Sequence, residues 1–97
     1  MAIILSHTHH VQCGDASYDA YEDYEVISID LSTGWVSTTS GTFECVDGCD
    51  RHRDERKLVP ISKARQLINE WLACHSDAER HDADGGDIHY ISYSSNE

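Results

Sequence analysis

Only one segment of this chain repeats its apolar residues at helical spacing. Ala64, Leu67, Ile68, Trp71, Leu72 and His75 recur at intervals of three and four, which puts them on one stripe of a helix. Ser62 is the expected N-cap, with Pro60 and Ile61 just outside it, and the helix is expected to run to about Ser76. Everything else with a clear period alternates at two. In Tyr24 to Leu31, Ile27, Ile29 and Leu31 share one face while Ser28 and Asp30 share the other, the pattern of a half-buried strand. A chain with one amphipathic helix has to hide its stripe against those strands. The expected fold is therefore α+β, an antiparallel sheet of about four to five strands with one helix packed on one face.

The remaining strands follow from the same reasoning. Ala2 to His7 is a short β-branched run, and Cys13 to Asp23 reads as an acidic loop. Ser32-Thr33-Gly34 supplies a hairpin turn before Trp35 to Thr39, and Ser40-Gly41 a second turn before Thr42 to Val46. After the helix, Asp77 to Asp87 reads as a loop and Ile88 to Tyr93 as the last strand. With 97 residues, one proline and no repeat, residues 1–97 are expected to form a single domain.

Charge is distributed unevenly along this chain. The formal charge is −11, but residues 1–50 contribute −9 with no Lys or Arg at all, residues 51–65 contribute +4, and residues 66–97 contribute −6. Phosphate contacts need cations, so nucleic acid is not expected as the main ligand. The basic segment, from Arg51 through Arg65, has two readings: salt bridges to the acids around it, or contact with a nucleic acid held by a partner. No apolar run is long enough to span a bilayer. The N-terminal MAIILSHTHH lacks the features of a signal peptide, so Cys13, Cys45, Cys49 and Cys74 are expected as reduced thiols in a cytoplasm. Two disulfides in a secreted chain are the alternative.

Three constellations carry potential chemistry. Asp15, Asp19, Glu22, Asp23 and Glu25 alternate with Tyr18, Tyr21 and Tyr24. Spaced carboxylates imitate a row of phosphates, and tyrosines offer flat, rigid contact area, so Asp15, Asp19, Tyr21, Glu22, Asp23, Tyr24 and Glu25 are the candidate partner-binding residues. Cys45, Cys49 and His52, in CVDGCDRH, are the candidate metal ligands, and zinc is the ion they would take. A small zinc-stabilised regulatory domain is the alternative function this motif suggests; otherwise no cofactor is expected. For catalysis, Cys13 near His9 and His10, or Cys74 beside His75, supplies the residue types for a thiol nucleophile without a diagnostic pattern. The chain is not expected to be an enzyme.

The run from Asp15 to Glu25, the net charge of −11 and the single short domain resemble the small acidic inhibitors that phages and mobile elements encode against host nucleases, the anti-CRISPR and DNA-mimic class. The resemblance implies a protein of the host cytoplasm that binds a nucleic-acid-binding complex, such as a CRISPR-Cas effector, and blocks its access to DNA.

Overall fold

The computed structural model describes residues 1–11, 20–44, 48, 50–83 and 85–95. Six strands and one helix follow in the order β1 (Ala2–Val11), β2 (Tyr21–Asp30), β3 (Trp35–Glu44), β4 (Asp50–Leu58), α1 (Ile61–Cys74), β5 (Glu79–Asp82) and β6 (Ile88–Ser95). The strands form one sheet in the order β4-β3-β2-β1-β6-β5. All neighbours are antiparallel except β1 and β6, which run parallel. The fold is α+β as expected, but the sheet is larger than four to five strands and is mixed rather than antiparallel. Helix α1 lies in the connection from β4 to β5, and that crossover is what sets β6 parallel to β1.

The core lies where α1 meets the sheet. Ile3, Leu5, Ile29, Val36, Ala64 and Trp71 are buried together, with Ile27, Leu67, Ile68, Leu72, Ile88 and Tyr90 packed around them. The register explains the grouping, because Ile3 pairs with Ile29 and Ile88, Leu5 with Ile27 and Tyr90, and Ile29 with Val36. The apolar stripe read from sequence is the buried one, since Ala64 and Trp71 are the buried residues of the helix. Its start differs: Pro60 takes the cap position and makes no side-chain capping bond, because its ring carries no acceptor.

Turn chemistry fixes the β2–β3 hairpin. Asp30 Oδ1 accepts from the backbone N–H and the hydroxyl of Ser32, and the same bonds hold the Asp30 carboxyl below its ordinary range. Gly34 takes φ +88°, donates to the Asp30 carbonyl at 2.8 Å and accepts from the Val59 N–H at 2.9 Å. A Cβ there would collide with the Val59 carbonyl.

Strand and helix lengths decide what is left open. A 14-residue helix is about 21 Å long, whereas a ten-residue strand spans about 33 Å. The helix therefore covers one end of one face, and among the described residues no other element covers the rest of that face. The molecule is correspondingly elongated, at 46 × 25 × 25 Å. Among the described residues no helix lies on the opposite face of the sheet.

Candidate functional site

Alternation along each strand divides its charged residues between the two faces, and the division is unequal. The strand residues on the helix-free face include Glu22, Asp30, Asp50, Asp54 and Glu79 against one cation, Arg56. Those on the helix face include Asp23, Glu25, Glu44, Glu55 and Asp82, offset by Arg51, Arg53, Lys57 and Arg80. The basic segment is thus sorted within β4, which sends Arg51, Arg53 and Lys57 to one side and Asp50 and Asp54 to the other.

This sorting splits the candidate partner-binding run. Asp15 and Asp19 lie outside the described residues. Glu22 and Tyr24 belong to the helix-free face, whereas Tyr21, Asp23 and Glu25 belong to the helix face. β2 is an inner strand, flanked by β1 and β3, so these residues form no continuous acidic row. On the helix-free face Glu22 sits 3.4 Å from His10 Nδ1. The Tyr24 hydroxyl passes over Gly41, which offers no side chain in its way, and donates to Asp50 Oδ1 at 2.5 Å. Asp54 accepts from the Thr39 hydroxyl at 2.7 Å. Trp35 lies under the Arg56 guanidinium at 4.3 Å, and Tyr93 and Ile91 are exposed on the same face. Acids and aromatics are therefore gathered on a surface that no other element covers among the described residues.

The end of the helix face beyond α1 carries a second arrangement, which the linear sequence conceals. The register sets Ser92, His7, Glu25, Ser40 and Arg53 side by side across five strands. The next rung on that face repeats the chemistry with Ser94, His9, Asp23, Thr42 and Arg51. Each rung is about 19 Å wide and the two are about 7 Å apart. Their members on β1 to β4 line a groove of about 630 Å³ whose wall at the helix end is His75, and Ser92 and Ser94 on β6 extend the rungs past it.

A connected chain of hydrogen bonds runs along one side of this groove. Ser92, almost fully buried, sends its hydroxyl proton to Asp77, with Oγ 2.8 and 3.0 Å from the two carboxylate oxygens. A hydroxyl has one proton, so His7 Nδ1, 2.8 Å from Ser92 Oγ, must be the protonated nitrogen. His7 Nε2 then presents its lone pair to Ser94 Oγ at 3.4 Å, and Ser94 is in turn 2.6 Å from His9 Nδ1. Burial, reinforced by His75 with its ring 4.8 Å away, keeps the His7 pKa below 6.5 against the pull of Asp77 and Glu25. The bond from Ser92 holds the Asp77 carboxyl below its ordinary range. A neutral imidazole and an ionised carboxylate thus share one serine, and the chain of donors points toward Asp77.

His75 is anchored separately. Its ring stacks on Trp71 at 4.1 Å and its Nδ1 donates to the Trp71 carbonyl at 2.8 Å, closing the C-terminal turn of the helix. Of the candidate metal ligands Cys45, Cys49 and His52, only His52 is among the described residues. Cys45 and Cys49 lie outside the described residues, and His52 projects from the exposed strand β4, 3.9 Å from Asp54. Among the described residues no group of three or more His, Cys, Asp or Glu side chains is placed to hold a metal ion. Cys74 is exposed and free, and its neighbour His75 is committed to Trp71. No helix among the described residues is long and apolar enough to cross a membrane.

Comparison with protein-family models, with curated proteins and with solved structures returns no match.

Proposed function

We propose that this chain is an inhibitory binding protein that docks on a nucleic-acid-binding complex, such as a CRISPR-Cas effector, through the helix-free face of its sheet. The observation that carries the reading is the sorting of charge. Five carboxylates stand on that face against a single guanidinium, which is itself held on Trp35. Tyr24, Trp35 and Tyr93 supply rigid contact area beside them. A groove built for phosphates attracts such a surface and associates with it faster at low salt. The residues proposed for contact are Glu22, Tyr24, Trp35, Asp50 and Asp54; Asp23 and Glu25, on the other face, have no part in it.

Competition tests the reading. Fluorescently labelled duplex DNA is bound to an effector complex, and its anisotropy is followed as the protein is added at low and moderate salt. Displacement by the wild type, lost in Glu22→Lys/Asp50→Lys/Asp54→Lys and kept in Asp23→Lys/Glu25→Lys, is the expected result. Equal displacement by the triple variant, or none by the wild type from any effector tried, would overturn it.

The hydrogen-bonded chain from Asp77 to His9 favours a second reading, in which the groove takes a small polar ligand. Saturable shifts of the His7 and His9 imidazole resonances with a small ligand, in the absence of any displacement of DNA, would support this reading over the first.

A further inference from the structure

Strand β4 is an edge strand, and all nine of its residues are exposed. Among the described residues no strand pairs with its outer edge. Exposed edges invite pairing with another chain, and charged side chains ordinarily discourage it. The charges of β4 do not discourage every pairing equally, and their order is informative.

In an antiparallel pair related by a two-fold axis normal to the sheet, each side chain stays on its own face. Any residue must then face a residue of the same parity, so the axis lies midway between one residue of the strand and its own copy. With the axis at Arg53, Asp50 faces Arg56, Arg51 faces Glu55 and His52 faces Asp54, each twice by symmetry. Only Arg53 meets its own copy, and each Arg53 has Glu55 of its own chain 3.5 Å away. The neighbouring registers lack this match. An axis at His52 sets Asp50 against Asp54 and Arg51 against Arg53; an axis at Asp54 sets Arg51 against Lys57 and His52 against Arg56; an axis at Glu55 sets Arg53 against Lys57.

From this match we infer that β4 is the self-association edge of the protein, and that its occupant is β4 of a second copy in the register centred on Arg53. The pairing joins two sheets into one. Because the axis is normal to the sheet, both helices lie on the same side and the two helix-free faces merge into one surface. The inference rests on the charge order of β4 and stands independently of what that surface binds.

Sedimentation velocity across micromolar to several hundred micromolar protein, at physiological salt, tests it. The wild type should shift with concentration from 10.9 kDa to twice that mass. Arg51→Glu and Glu55→Arg each turn two attractive cross-strand pairs into repulsive ones, and each should weaken the dimer by about tenfold or more. An equimolar mixture of the two single variants restores opposite charges at every altered pair, and should recover a heterodimer. The double variant Arg51→Glu/Glu55→Arg should recover the homodimer. Circular dichroism checks that each variant is folded. A wild type that stays monomeric throughout, single variants that dimerise as the wild type does, or a mixture that fails to associate would each overturn the inference.

Discussion

The Tyr24 hydroxyl donates to the Asp50 carboxylate at 2.5 Å, joining β2 to β4 across the intervening strand. The bond is open to the geometry only because Gly41 lies between them without a side chain. Ionising the phenol would set two negative charges against each other. The Tyr24 pKa is accordingly pushed up to about 12, chiefly by this bond. Ultraviolet titration of the five tyrosines should show one late phenol, which Asp50→Asn returns toward 10. An unchanged titration curve in that variant would remove the bond.

Acid should loosen the end of the sheet where His7 lies. The folded pKa of His7 is below 6.5, so the folded state binds fewer protons than the unfolded chain as pH drops through that value. The stability this contributes is complete above pH 6.5 and is lost as pH falls toward the folded pKa. Beside burial, the neighbouring His75 and His9 push the His7 pKa down, while Asp77 and Glu25 pull it up. Thermal melts from pH 7.5 to 5 should fall more steeply for the wild type than for His7→Gln.

Gly34 should tolerate no side chain. Its φ of +88° disfavours any other residue, and a Cβ meets the Val59 carbonyl. Urea denaturation of Gly34→Ala should show a loss of about 2 kcal/mol or more. Gly85 shares the positive φ but has open space around it, so Gly85→Ala should cost about 1–2 kcal/mol, less than Gly34→Ala.

The groove chain should be sensitive at its middle. Ser92 is buried and serves both Asp77 and His7, so Ser92→Ala leaves a half-buried imidazole N–H without its acceptor. A loss of about 1–3 kcal/mol in urea denaturation is expected, with the His7 tautomer no longer fixed in nitrogen NMR shifts. Ser40→Ala, on the same rung but across the groove, should cost less.

What the sequence discloses follows burial. The helix and β2 were legible because each has one face in the core, and burial is what imposes an apolar period. Strand β4, DRHRDERKL, has neither face covered, so its alternation is one of charge sign and carries no apolar signal. Residues Thr8 to His10 extend β1 beyond the helix and are polar for the same reason. The four-residue β5 fell inside the expected loop. The parallel pairing of β1 with β6 depends on which strand the chain meets after the helix, and local pattern does not encode that choice. The groove was present only as pairs spaced by two: His7 and His9, Asp23 and Glu25, Ser40 and Thr42, Arg51 and Arg53, Ser92 and Ser94. Register is what turns those pairs into rungs. The acidic run was visible as composition, and its division between two faces became clear only once it proved to include an inner strand.

The central claim is that the helix-free face meets the partner, and the two tryptophans report on it directly. Trp35 is exposed on that face, and Trp71 is buried beneath the helix. With 5-hydroxytryptophan in place of both, acrylamide quenching is read from this protein alone while an effector complex is added. The account predicts that the quenchable component, Trp35, becomes protected as DNA is displaced. Displacement of DNA with Trp35 still fully quenchable would contradict it.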